Sequence, residues 1–585
     1  MNVFERILQA LAMSALAALP FESDQLAVSL GPVRVTIPEA LVGATIAAGL
    51  AWAIVGPGAA ALRRVAPFAA AAGLFVSALA VSAIAAPEHR DLAFKFVCRI
   101  AGGAAFGTVV AALVATRTRA AANLMTAFAA GVLVSSVIAV AEFAWPDVVV
   151  PHLWLFRSGA IYSAGSVRAA STYGYPNTLA TSIAMAFPVV VARTSAAIDR
   201  RWIGAVALCV LCVALVTTFS RGGLVAAVAG LGVVSIVAWS LTERRLAVQA
   251  AGTVALIAMT WLAAWLGAAQ LARRGTVADQ RQLLSASIQP AVRAIAVRPG
   301  AEATMPISVT NTGALAWTST DAAPFTLVSR WYDTAGSEVT VEGDRTFLPR
   351  DVAPGESLAL NGVYVAPPAE GDYWLVWDVY VENRVRFGEL GSRISAVRVA
   401  SRRDPRIADA VVQGWLGGDA ASPSLSTDPG RQAYVPPGRR SLWSAALAMF
   451  RERPLVGIGP DNYRLSYGRF LGLDAWDMRV YANNMFLELL ATSGLLGFCA
   501  FLVLLAVVAR HTLNVLRENR TRGAGDAMAI AACASLAALL VHGLVDYFLE
   551  FTAGYIALFT WMGILAGFGA AADADITRPK AGSAA

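Results

Sequence analysis

Apolar runs of about twenty residues, the length that crosses a bilayer as a helix, recur along this chain with short polar turns between them. They lie at 4–20, 38–57, 66–86, 95–115, 121–141, 177–193, 201–219, 222–241, 246–268, 484–508, 527–546 and 552–571. The first opens on Glu5 and Arg6 and is read as a span and not as a cleaved leader, because further spans follow it. Between 270 and 482 the pattern breaks into a long polar segment. Within it, 290–400 switches to a period of two. VRAIAVRPG, TMPISVTNTG, FTLVSRWYDTAG, SLALNGVYVAP and DYWLVWDVYVENRVRF alternate apolar and polar positions between the turn signals NTG, APGE and AEGD. That pattern predicts an antiparallel β-sandwich of immunoglobulin type. Trp317, Trp331, Trp374 and Trp377 would supply its core or a face for stacking sugars. Residues 401–437, rich in Pro, Gly, Ser and Asp, read as a linker. SLWSAALAMFRER at 441–453 reads as an amphipathic helix, destined for the membrane surface or for packing under the loop.

Composition agrees with the pattern. At 57% hydrophobic and 15% charged, the 585-residue chain is too apolar for a soluble protein. Its net charge of +7 follows topology. Arg63, Arg64, Arg117, Arg119, Arg193, Arg200, Arg201, Arg244, Arg245 and Arg510 fall on one side of the spans, and the opposite short loops hold few cations. Twelve spans with both termini on the cation-rich side satisfy this asymmetry, so the charge is no argument for nucleic acid. The five cysteines all lie within apolar runs, and the CxxC at Cys209 and Cys212 reads as small apolar residues on one helix.

Candidate chemistry collects at the side opposite the cations. Arg168 precedes STYGYPN at 171–177, and TTFSRGG at 217–223 joins two spans by a tight turn that sets Arg221 at the membrane surface. A charge at that depth is costly and calls for a partner. A guanidinium fork matches phosphate, and two arginines on one side favour an anion site over separate snorkelling. Past the long loop, Asn483 and Asn484 stand at the start of a span, where one asparagine would serve as a helix cap. His152, alone beside Pro151, reads as structural.

Arg168 with STYGYPN, TTFSRGG, SLWSAALAMFRERPLVGIGPDNYRLSY and NNMFLELLATSGLLGF, in this order around a large outer loop, resemble the O-antigen ligase family of membrane glycan transferases. The resemblance covers most of the chain except 290–400, which reads as an insertion. It implies a fold of about twelve transmembrane helices. The parts would be spans 1–9 over 1–269, an extracytoplasmic loop over 270–482 with an active-site segment at 438–482, spans 10–12 over 483–571 and a cytoplasmic tail at 572–585. It implies a bacterial inner-membrane enzyme that moves glycan from an undecaprenyl-diphosphate carrier to a glycan, lipid or protein acceptor, without metal or other cofactor. Ligase and polymerase chemistry both fit, as does protein O-oligosaccharyl transfer. Arg168 and Arg221 match the arginines that hold the diphosphate. Asn177, Arg464, Arg479 and Asn484 join them as expected substrate contacts. Asn483 stands where the ligases carry a histidine. It cannot take a proton near neutral pH, so a carboxylate is sought as base: Asp477 first, then Asp461 and Glu488. Outside the family, a transporter would show internal repeats and broken mid-membrane helices. A membrane-anchored binding protein would leave STYGYPN and TTFSRGG without purpose.

Overall fold

The computed structural model describes residues 3–577 apart from 24, 31–32, 56–57, 158–160, 164–165, 197–198, 273–283, 320–323, 337, 340–343, 382–384, 389–391, 393, 417–436, 474–477, 479 and 523–525. Asp477 and Arg479 lie outside the described residues.

The apolar runs form helices. In chain order these are α1 (Val3–Ala18), α2 (Ile37–Val55), α3 (Gly58–Arg64), α4 (Ala66–Ala85), α5 (Arg90–Thr116), α6 (Thr118–Ala144) and the short α7 (Pro146–Val149). There follow α8 (Pro176–Ala196), α9 (Arg201–Thr217), α10 (Arg221–Ser240) and α11 (Arg244–Ala272). After the long loop come α15 (Met485–Arg522), α16 (Ala527–His542) and α17 (Thr552–Thr577). Among the described residues ten helices are long and apolar enough to cross a membrane, and α9 and α16 are shorter apolar helices. The protein is therefore a polytopic helical membrane protein. α17 is the most enclosed: Gly563 and Gly567 bring it against the backbone of α5 at Gly107 and Ala111, where a Cβ would meet carbonyl oxygens at 2.3 and 2.6 Å.

Helix ends differ from the hydropathy reading where polar contacts decide them. The run at 527–546 leaves the helix at His542, and 543–551 forms turns that cross the end of the bundle. α17 runs past 571 to Thr577, into the stretch read as a tail. The run at 484–508 continues as helix to Arg522 but is interrupted at Gly494 (φ 61°, ψ −164°). The N–H and carbonyl groups freed there are paired by the loop that precedes it. Leu495 and Leu496 donate to Pro454 O and Leu455 O (2.8 and 3.0 Å), and Ile458 and Gly459 donate to Ala491 O and Thr492 O (3.2 and 2.9 Å). The VGIG stretch thus pairs with the helix break like a short strand.

Small hairpins close the same end: β1 (Val28–Leu30) with β2 (Val33–Val35), and β3 (Ile161–Ser163) with β4 (Ser166–Arg168). In the long loop lie β5 (Ala286–Pro290), β6 (Ala294–Val297), β7 (Glu302–Asn311), β8 (Phe325–Asp333), β9 (Arg345–Phe347), β10 (Ser357–Val365), β11 (Gly371–Val381), β12 (Val385–Arg386) and β13 (Ser395–Ser401). They make two sheets, β10-β7-β5 and β6-β13-β11-β8-β9, with β12 on β11. Pairing is antiparallel except β13 with β6. The sheets share a core around Trp317, Trp331 and Trp377. Trp374 departs from that set. It alternates to the outer face of β11, where the Arg398 guanidinium lies between it and Trp415 at 5.8 and 4.0 Å from the ring centroids.

Trp415 belongs to α12 (Pro405–Leu416), inside the stretch read as linker. Ala408 and Val412, four apart, bury against β6 and β13, so helical spacing prevails over the Pro- and Asp-rich composition. Next come α13 (Arg439–Glu452) and α14 (Tyr463–Leu471). α13 takes the packed alternative: Leu442, Ala445, Ala446 and Met449 bury against Tyr463, Tyr467 and Ala491.

Candidate active site

The end of the bundle where α8 begins and α9, α15 and α16 turn carries most of the polar side chains singled out in the sequence. Glu142, fully buried at the end of α6, shapes it. Its carboxylate pairs with Arg157 and accepts from the backbone N–H groups of Ala170 and Ser171 (3.2 and 2.7 Å). Ser171, at φ 55°, is held in that bend, and Ala169 N–H donates to Thr217 O at 3.0 Å. The STYGYPN segment is thereby tied to the turn between α9 and α10.

Arg168 bridges the two. Its Nε donates to Thr218 O at 2.9 Å and its Nη2 to Asn177 Oδ1 at 3.0 Å. Burial depresses the Arg168 guanidinium below its ordinary pKa, and Asp546 opposes that shift. Asn177 and Arg168 both act on Asp546. Beside Asp546 stands His542, whose Nε2 lies 3.9 Å from Asp546 Oδ2 and whose Nδ1 is 2.7 Å from Thr181 Oγ1. Gly222 packs against this imidazole so closely that a Cβ would sit 2.7 Å from Nε2.

Arg221 occupies the first position of α10, which Ser220 caps by accepting from Gly223 N–H at 3.1 Å. It is exposed and makes no ion pair or hydrogen bond among the described residues. A cation on the first turn opposes the helix dipole by roughly 0.3–1 kcal/mol. The placement is unfavourable alone and reversed in sign once an anion sits at that helix start.

Asn483 and Asn484 part company. Asn484 is the cap of α15: its Oδ1 accepts from Phe486 and Leu487 N–H (3.1 and 3.0 Å), and its Nδ2 donates to Leu544 O at 2.8 Å. Asn483 adopts φ 50° and its side chain has no hydrogen-bond partner among the described residues. Of the carboxylates, Asp461 is held by the Arg464 fork (3.1 and 2.9 Å), which occupies both residues with each other. Glu488 accepts from Ala482 N–H at 2.9 Å, and its other oxygen is buried without a hydrogen bond. It ties the loop to the helix and has no arginine partner among the described residues.

Glu550, with Asp546 and His542, belongs to HGLVDYFLE at 542–550; hydropathy alone reads 542–546 as the end of a span and only 547–551 as the gap before the next, whereas the helix ends at His542. Glu550 lines a polar cavity of about 540 Å³ together with Lys95, Arg99, Tyr175 and Phe551. Tyr175 packs against Phe551 with the rings tilted, 5.5 Å between centroids, and Thr172, Tyr173, Gly174 and Tyr175 line the cavity, so the STYGYPN segment is one of its walls. Burial lifts the Glu550 carboxyl above the usual carboxylate range; the Tyr481 hydroxyl opposes that, the Asp461 carboxylate adds to it, and Arg464 and Arg99 oppose it further. Tyr481 in turn stacks on Tyr547 at 5.0 Å. The signal for these residues was an acid-and-aromatic interruption between apolar runs. Among the described residues no group of three His, Cys, Asp or Glu converges as a metal would require.

Fold and site define a multi-pass membrane protein with its polar chemistry gathered at one end of the helix bundle. Residues 375–502 match the family model described as O-antigen ligase. That stretch runs from β11 through α12, α13 and α14 into α15, and so includes the VGIG stretch and Asn483. The match contains the last two of the four motifs read from the sequence and points to glycosyl transfer of ligase or polymerase type; Arg168, STYGYPN and TTFSRGG lie outside it. A comparison with curated proteins returned no match.

Proposed function

We propose that this protein transfers glycan from an undecaprenyl-diphosphate carrier to an acceptor hydroxyl at the extracytoplasmic face of the bacterial inner membrane, with the long loop and its immunoglobulin-like insertion on that side. The observation that carries the reading is a partly buried Arg168 anchored on the α9–α10 turn at Thr218 O, with Arg221, which has no partner among the described residues, three positions further on at the start of α10. Arg168 cannot snorkel, because its fork is fixed on Thr218 O and Asn177. Arg221 offers its donors to whatever anion reaches the start of α10. The diphosphate, as leaving group, gathers negative charge while the anomeric C–O bond breaks. Preorganised guanidinium groups stabilise such charge best where water is scarce.

The acceptor hydroxyl attacks the anomeric carbon, the bond to the diphosphate breaks, and undecaprenyl diphosphate departs with the electron pair. The hydroxyl proton goes to a carboxylate. Asp477, the first candidate, lies outside the described residues; with Asp461 engaged by Arg464 and Glu488 buried behind Ala482 N–H, we take Glu550, on the cavity wall, as the base in this reading. Asn483, with its amide uncommitted, orients the hydroxyl.

The test is transfer from a purified lipid-diphosphate glycan by purified protein. A hydrogen bond to a charged group contributes about 1.5–3 kcal/mol, so Arg168→Ala and Arg221→Ala should each lower donor turnover tenfold or more. Lysine should rescue Arg221 in part, lacking only the fork, and Arg168 less, since its two anchors diverge. Normal activity in both alanine variants at matched expression would place the donor elsewhere.

A further inference from the structure

At the far end of α8 from Asn177, an open crevice of about 450 Å³ separates α6, α8 and α9. Its walls are apolar and small: Ala129, Ala130 and Leu133 on α6, Val190 on α8, Ile203 and Ala207 on α9. It does not close, because α8 and α9 already touch at Gly204, where a Cβ would lie 1.9 Å from Thr194 Oγ1. Arg193 and Arg200 also line it. Both are exposed, and neither has an ion pair or hydrogen bond among the described residues. Trp202, 68% exposed on the first turn of α9, marks the depth of the lipid headgroups, where indole rings collect. The crevice is thus an apolar slot that faces the hydrocarbon, with two uncompensated guanidinium groups where the headgroups lie.

We propose that this crevice binds one anionic phospholipid, with an acyl chain along Ala130, Leu133 and Ala207 and the headgroup phosphate between Arg193 and Arg200. The small residues leave a chain-wide slot, and a forked guanidinium pair suits a phosphodiester. A zwitterionic lipid fills the slot equally but carries a trimethylammonium that the two arginines repel. The site lies at the opposite end of α8 from the candidate active site and is independent of the reaction assigned there.

The full-length protein in detergent is titrated with dioleoyl phosphatidylglycerol or dioleoyl phosphatidylcholine and examined by native mass spectrometry. One phosphatidylglycerol should be retained at lipid concentrations about tenfold below those needed for phosphatidylcholine. The Arg193→Gln/Arg200→Gln double variant should weaken phosphatidylglycerol about tenfold or more, each arginine near an anionic headgroup being worth roughly fivefold, and bring it level with phosphatidylcholine. Ala130→Phe, which fills the slot, should weaken both lipids; Ala207→Leu does the same from α9 should the first variant fold poorly. Size-exclusion profile and thermal unfolding in the absence of added lipid control for folding. Equal retention of the two lipids in the wild type, or unchanged phosphatidylglycerol retention in the double variant, overturns the proposal. So does equal protection of the protein by glycerol phosphate, which would mean an ion site and no lipid. A shift from dimer to monomer in the variants, with lipid retention unchanged, would overturn it in favour of a second copy of this chain.

Discussion

Neighbouring asparagines at the mouth of α15 have different fates, and the difference makes a prediction. Asn484 satisfies two of the helix's orphan N–H groups and holds Leu544 O; it is structural. Asn483 has no hydrogen-bond partner among the described residues, and in the proposed reading its amide holds a substrate hydroxyl that it cannot deprotonate. Asn483→Ala should therefore slow transfer without abolishing it. Glu550→Gln removes the proposed base and should cost about 10²–10⁴ in rate, with donor binding retained. The pH profile separates base from structural support. Glu550 must be ionised to accept a proton, and burial raises its pKa. Transfer should be full above that raised pKa and fall as pH drops through it, at a pH higher than an ordinary glutamate would give. In Glu550→Gln this acid limb should vanish. A variant that keeps the limb, or keeps wild-type rates, would return the search to Asp477 and the remaining acids.

The decisive element is the pairing of the VGIG stretch with the break in α15. Gly494 occupies a backbone region open essentially to glycine, worth roughly 1–3 kcal/mol of strain for any other residue. A Cβ there would also lie 2.5 Å from the Leu455 carbonyl. Gly457 mirrors it, at φ 68° with a Cβ 2.4 Å from the Thr492 carbonyl. Ser82 Oγ donates to Thr492 O at 2.9 Å and so ties α4 to the same joint. Arg453 and Asn462 reach Ala85 O and Glu88 O (2.7 and 2.9 Å). The loop that presents Asp461, Arg464 and Asn483 is thus braced on the membrane helices. Gly494→Ala should lower the thermal midpoint by several degrees and reduce folded yield. Gly73→Ala, on α4 with nothing within 4 Å of the added methyl, should do neither. Equal stability of the two variants would show that the joint is soft.

For the whole molecule, the arginine asymmetry and the gathering of polar chemistry at one end predict a single orientation, with the long loop outside. A cysteine at Gln413, exposed on α12, should react with an impermeant thiol reagent in intact cells; one at Thr118, exposed at the first position of α6, should react only after permeabilisation. The native cysteines at 98, 209 and 499 are exposed in the apolar helices, so the assay is run in a background that lacks them. Reverse labelling would invert the molecule and put Arg168 and Arg221 on the side where no lipid-linked glycan is presented.

Periodicity by itself determined the membrane class, most helices and the alternating strands of the sandwich, because lipid and a two-sheet core impose repeats that a linear pattern carries. It also brought out Arg168 and Arg221, since a charge at the edge of an apolar run is visible without coordinates. Tertiary structure decided what depends on residues distant in the chain. That Trp374 faces Arg398 and Trp415, that α12 exists within a Pro-rich stretch, and that α15 breaks at Gly494 all follow from partners far along the sequence. The same holds for the site. Asp461 is spoken for by Arg464, Asn484 by the end of α15 and Leu544, and Glu550 gains its cavity only when the turn after α16 crosses over the STYGYPN segment. Hydropathy scores each residue by its own solvation. Whether a buried acid is a strut or a base is set by the groups that surround it, and those are brought together only by the fold.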